Sequence, residues 1–439
     1  HLMTLFDLPP FVVLTTLFLL GALLGRGLNL CIERIPLHEE CLASLKAVWH
    51  PGPGASARFR LRGNWPLVGW LQRSNRRAGR PNRYLTVELL NAILLPVLYA
   101  CEIPLAENAT IQESCLANLY SPAGWADSFW MSPAAVLHWR YLYHLVLIEA
   151  LMVATFIDWD LTIIPDGVTF PATIVGVLGG FLSGQVYILP LWFQSPELIH
   201  LLRPMFTIWM HPLLDGPALP AWFANWPHIH GLLVSLTGLV VGAGMVWTVR
   251  IIGQWILRQE AMGFGDVILM GMMGSFLGWQ PTAIVFFLAP VCALAVVAVS
   301  LFFTRSREIP YGPYLSLAAV VVLLAFPTVW YHAERLFSLG ALLILLALVL
   351  VILLVVCLGL MQLVKLGLGI PLYYDEWIGE WTSADQLTHF AGEKTDLSQG
   401  CWRKETWPGV LSGRGQSYDE NWRRGSGGGK RFPGSGPRE

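Results

Sequence analysis

The residues best suited to chemistry in this chain are acids at the edges of apolar runs. Asp158, Asp160 and Asp166 fall in "FIDWDLTIIPD", residues 156–166, at the end of one run, and Asp266 closes "GFGD" at the start of another. An ionised aspartate at the centre of a bilayer costs about 2.5–3.5 kcal/mol, so an acid carried to such a border reads first as functional. Two carboxylates that meet in a partly desolvated place cannot both ionise easily and share a proton. One can then take a proton from water while its protonated partner polarises a scissile carbonyl, with no metal and no covalent intermediate. Gly263 and Gly265 remove side chains beside Asp266, leaving room for an extended chain. Taken singly, each acid also fits a solvated helix end, and Asp266 at a helix start would gain from the dipole.

Asp158, Asp160 and Asp166 compete for the role of partner to Asp266. In a continuing helix Asp158 and Asp160 point about 200° apart, so both cannot face one water. Asp158, nearest the apolar run, is the expected partner. Pro165 and Asp166 read as a turn and the start of the next helix, with Asp166 as cap or charge partner. His144 and Glu149 lie inside the preceding run. Glu149 is about half a turn out of phase with Asp158, and bundle packing is its expected role.

The elements that hold these acids must be membrane helices. Of 439 residues, 55% are hydrophobic and 13% charged, with a mean hydropathy of +0.55, which sets the chain apart from soluble domains. The expected fold is an all-α, polytopic integral membrane helix bundle of about eight to nine transmembrane helices. The expected spans are Phe11 to Leu24, Glu88 to Ala100, Tyr141 to Ile157, Val168 to Leu191, Gly231 to Thr248, Val267 to Trp279, Ala283 to Phe303, Tyr314 to Trp330 and Leu339 to Val364. The stretch from Arg26 to Arg83 is rich in arginine and holds three acids, so it belongs in the cytoplasm. That orientation puts the N-terminus outside and both acidic motifs on the inner side. Residues 1–25 form a first transmembrane helix, 26–87 a basic cytoplasmic loop domain and 88–365 the bundle. Outer loops cover 102–140 and 194–230, and 366–439 is a polar, flexible cytoplasmic tail. The histidines of "HIH", with His211 and Asp215, are expected to make ordinary hydrogen bonds. The seven cysteines contain no C-x-x-C pair, so no zinc site and no other metal is expected.

Five ordered segments together resemble one family, the bacterial prepilin peptidases, or type IV leader peptidases, membrane aspartyl proteases of the G-x-G-D kind. They are "GRGLNLCIERIP" from Gly25, "NWPLVGWL" with "RYLTVELL", "FIDWDLTIIPD", "GFGD" and "EIPYGPYLSLAA" from Glu308. The resemblance implies that Asp158 and Asp266 form a catalytic pair in the bacterial inner membrane, supported by Gly263, Gly265, Asp160, Pro165 and Asp166. It implies cleavage of short basic leaders from type IV prepilins or pseudopilins at the cytoplasmic face, without a cofactor. Many members also methylate the new N-terminus with S-adenosylmethionine; Gly79, Arg80 and Glu88 are the candidates for that here. The chain departs from the family in lacking the two C-x-x-C pairs of the basic loop, so its tetracysteine zinc site is not expected. Outer loops, a ninth span and a long tail are additions to the usual plan. The partners implied are prepilin-like substrates and the lipid bilayer, with no nucleic acid. The alternative is a cation-coupled transporter or channel using its intramembrane acids. A presenilin-like protease would need a Y-D motif in a span, which is missing, and a scaffold of a secretion assembly would need neither aspartate.

Overall fold

The structure is a computed structural model and describes residues 4, 8–37, 41–49, 81–105, 133–208, 211–214, 220–257, 262–300 and 310–368. Gly79, Arg80, Asp215, the centre of the basic loop and the tail from residue 369 lie outside the described residues. The principal helices are α1 (Pro10–Arg34), α2 (Cys41–Trp49), α3 (Pro81–Glu102), α4 (Pro133–Leu161), α5 (Asp166–Ser183), α6 (Pro227–Leu257), α7 (Phe264–Leu277), α8 (Trp279–Ser300), α9 (Gly312–Leu324), α10 (Phe326–Phe337) and α11 (Leu342–Gly367). Among the described residues, seven helices are long and apolar enough to cross a membrane, or eight if the bent pair α9–α10 is one span. The described residues hold no strand, only one isolated bridge, Gln194 to Leu339. The protein is therefore an all-α polytopic bundle.

Several helices end where local chemistry differs from the expected spans. The first helix runs through Arg34 and α3 already starts at Pro81, so both reach into the region read as loop. In the same way α4 starts at Pro133, inside the expected outer loop. The span expected over Val168–Leu191 stops at Ser183, because Gly184 takes a left-handed conformation and its N–H donates to Gly180 O at 3.0 Å. The chain after it is buried but not helical, which a membrane tolerates only where protein supplies hydrogen bonds. Trp279 Nε1 donates to Leu191 O at 2.8 Å, Gln280 Nε2 donates to Pro190 O at 2.7 Å, and the Leu191 N–H donates to His230 Nε2 at 3.0 Å. The span expected over Tyr314–Trp330 instead bends by 94° at Ala325. Pro327 has no N–H to continue α9, and the amphipathic α10 that follows buries Phe326, Trp330 and Phe337 while Tyr331 faces outward.

Lipid tails are as apolar as leucine, so burial alone gives helices in a bilayer little reason to associate; close backbone approach does. That approach occurs where α6 crosses α7: a Cβ at Gly238 would collide with Gly274 O, and one at Gly274 with Gly238 O. The central helix α4 packs on α1, α3, α5, α7 and α9. The almost fully buried α7 sits among α4, α5, α6, α8 and α9. At 1.5 Å per residue α7 is about 21 Å long, shorter than the ~30 Å hydrocarbon core.

Candidate active site

The last turn of α4 carries Asp158 and Asp160, and the chain then leaves the helix sharply. Thr162 has φ 57, its N–H donates to Asp158 O at 2.8 Å, and Pro165 keeps the preceding Ile164 from helical geometry. α5 opens at Asp166, as the sequence suggested, but its N-cap residue is Pro165, with no side-chain cap hydrogen bond, so Asp166 is the first helical residue rather than the cap. Asp158 is 6% exposed and Asp266, in the first turn of α7, is 8% exposed. Both lie at the same end of the bundle, in turns from different helices.

The connection after α4 and the start of α9 bring these turns together. Ile164 packs on two glycines: a Cβ at Gly265 would lie 3.0 Å from Ile164 Cβ, and one at Gly312 3.2 Å from Ile164 Cδ1. The same Cβ at Gly312 would lie 2.5 Å from Asp158 Oδ2, so the backbone at α9's start closes directly on that carboxylate. Tyr311, next to it, has its hydroxyl pushed up to about 12, by burial first and by the charge of Asp266 second. Gly312 thus closes on Asp158, and Ile164 links Gly312 to Gly265, the residue before Asp266. Gly263 is exposed, with room for a Cβ 3.6 Å from Asp266 Oδ2, and Phe264 beside it is 57% exposed under the Arg250 guanidinium. One side of the Asp266 turn is therefore open while the other is packed.

The remaining acids have other partners. Asp160 forms an ion pair with Arg83, which also reaches Glu33 at 3.4 Å, and Tyr84 donates its hydroxyl to Glu33. Its carboxylate is engaged on α3, as expected for the face of α4 opposite Asp158. Glu149 accepts from Asn91 Nδ2 at 3.0 Å, and the same amide donates to Gly21 O at 3.1 Å, a packing role between α1, α3 and α4. His144 and Arg140 pair with Glu102 at the far end of the bundle. Glu88 is fully buried in the α1–α3 seam, where a Cβ at Gly25 would lie 2.8 Å from its Cα. His230 stacks on Phe223 at 4.0 Å, and the His228 ring faces Phe181 O at 2.9 Å. No group of three His, Cys, Asp or Glu able to hold a metal occurs among the described residues. Sequence reasoning passed over Arg83, Tyr311 and Gly312 as individual residues. The last two were present in "EIPYGPYL", where proline and glycine mark a tight start to a helix.

A polytopic helical membrane protein with two buried aspartates at the mouths of different helices is the class this geometry defines. Residues 145–299, which include both aspartates, match the type IV leader peptidase family. The chain is 25% identical over 353 residues to the prepilin leader peptidase/N-methyltransferase of Aeromonas salmonicida, covering 73% of this chain and 94% of that protein. It is 24% identical to the protein of the same name from Aeromonas hydrophila, with 73% and 94% covered. It is also 24% identical to the type 4 prepilin-like proteins leader peptide-processing enzyme of Escherichia coli O78:H11, with 69% and 90% covered. No solved structure matches. The resemblance read from the motifs is supported where the two aspartate motifs lie: residues 145–299 are similar to the type IV leader peptidase family.

Proposed function

We propose that the protein is an aspartic endopeptidase of the bacterial inner membrane that removes the short basic leaders of type IV prepilins or pseudopilins at the cytoplasmic face. The observation that carries this reading is that Asp158 and Asp266, from separate helices, are both buried, with Gly312 closed on Asp158 and Ile164 packed between Gly312 and Gly265, the neighbour of Asp266. Helix dipoles distinguish them. Asp266 stands at the N-terminus of α7, where negative charge is favoured, and Asp158 at the C-terminus of α4, where it is not.

Asp266 is the carboxylate that takes a proton from the attacking water, and Asp158, holding the shared proton, donates a hydrogen bond to the scissile carbonyl. Attack forms the water oxygen–carbon bond and turns the carbonyl into a tetrahedral centre. A proton passed from the dyad to the leaving nitrogen breaks the carbon–nitrogen bond and restores the starting state. Tyr311 stays a neutral hydroxyl at working pH and adds a hydrogen-bond donor at the same mouth.

The relatives' names couple this cleavage to N-methylation, and we extend that second activity to this chain with S-adenosylmethionine as methyl donor. Glu88 does not fit a role in contacting that donor, because its carboxylate is sealed in a helix seam, so no transfer step is derived through it. The experiment is cleavage of a co-expressed prepilin, read by gel shift and by the N-terminal mass of the product. Asp158→Asn and Asp266→Asn should abolish processing, while Asp160→Asn should keep cutting at a reduced rate. Processing by either dyad variant at the wild-type rate would sink the proposal, and an added methyl mass on the product decides the second activity.

A further inference from the structure

The Asp160–Arg83–Glu33 cluster lies outside the dyad, yet it grips the same turn of α4 that carries Asp158. Two acids in the last turn of a helix are electrostatically misplaced, because the dipole already puts partial negative charge there. Asp158 and Asp160 sit in such a turn, with the chain leaving the helix at Leu161. Arg83 supplies the compensating cation: it pairs with Asp160 and reaches Glu33 at 3.4 Å, with its guanidinium 5.1 Å from the centroid of the Tyr84 ring. Tyr84 in turn donates to Glu33, and Asn29 Nδ2 donates to Tyr84 O at 3.1 Å. The turn of α4 is thereby fixed to α3 and, through Glu33, to α1.

We infer that Arg83 is a positioning residue for the cleavage reaction, setting the rotation of the last turn of α4 through Asp160 and so the aim of Asp158. Gly312 and Ile164 hold the inner side of this turn, and Arg83 holds the side that carries Asp160. Beyond Asp158 the turn has no further helix to hold it, since Thr162 leaves helical geometry at φ 57. On an α-helix, Asp158 and Asp160 lie about 200° apart, so a rotation that releases Asp160 swings Asp158 off Gly312 by the same angle. Arg83 and Glu33 also flank the basic loop, so the ion pairs tie both ends of that segment to the catalytic turn.

The inference rests on the assignment of Asp158 as a catalytic carboxylate. Its test uses the 439-residue enzyme reconstituted in phospholipid vesicles with a type IV prepilin that the wild-type enzyme cleaves, with rates normalised to folded protein. Arg83→Ala and Asp160→Asn should each lower kcat about tenfold, because small misplacements of a reacting group are costly, and leave KM within about twofold. The double variant should lose no more than either single one, since both remove one interaction. Losses that multiply in the double variant, a KM change that accounts for the whole effect, or an unchanged kcat for Arg83→Ala each overturn the positioning role. Asp158→Asn, measured alongside, tests the underlying assignment separately. Wild-type cleavage by that variant refutes the dyad whatever the coupling between Arg83 and Asp160.

Discussion

At the scale of single residues, position 312 is where the site tolerates least. Its missing Cβ is what lets the start of α9 close on Asp158, and a methyl group there would stand 2.5 Å from the carboxylate oxygen. Gly312→Ala is expected to lower kcat about tenfold to a hundredfold while the protein still folds, as judged by size-exclusion profile and cleavage kinetics. An alanine variant with the wild-type rate would show that the carboxylate does not need this contact. The acids themselves were legible in the sequence, because an aspartate beside hydrocarbon demands an explanation. The separation of Asp158 from Asp160 was legible too, from helical periodicity alone. Arg83 was not: its partner is 77 residues away in the chain, and in a run of arginines nothing marks the one that folds back.

At the scale of elements, the crossing of α6 on α7 holds the mouth that presents Asp266. Glycine in an exposed helix interior costs up to about 1 kcal/mol relative to alanine, so propensity alone would make Gly238→Ala stabilising. The backbone contact with Gly274 reverses the sign. Gly238→Ala should destabilise the bundle by about 1–3 kcal/mol, the usual cost of overpacking, seen as a lower Tm in detergent together with reduced cleavage. A raised Tm would show that the helices can slide apart freely. The existence and type of nearly every helix could be read from apolar run length. Their ends could not, since they depend on a left-handed Gly184 and on Pro327, and an apolar composition continues past both. The eighth run illustrates the limit: "VVVLLAFPTVW" reads as one span, yet it is a short α9 followed by α10 lying at 94° to it.

At the scale of the whole molecule, the two ends of the bundle are chemically distinct. Asp158, Asp266, Arg83 and α2 gather at one end, and α10 packs with the Gln194–Ser195 segment at the other, where the Ser195 N–H donates to Ser338 O at 3.0 Å. With the arginine-rich loop in the cytoplasm, a cysteine replacing Tyr331, 77% exposed on α10, should react with a membrane-impermeant maleimide only from outside. One replacing Leu42, 82% exposed on α2, should react only in inverted vesicles, both in a background lacking the seven native cysteines. The reverse pattern would invert the topology and place the dyad outside. The Glu102–Arg140–His144 cluster bears on how such a chain enters the membrane at all. On its own α4 would have to leave the translocon bearing Arg140, His144, Glu149 and two aspartates, at a cost of about 2.5–3.5 kcal/mol for each charge that reaches mid-bilayer. Glu102 and Asn91 on α3 meet Arg140 and Glu149, so the two segments partition into lipid far more readily as a preassembled helical hairpin than one after the other.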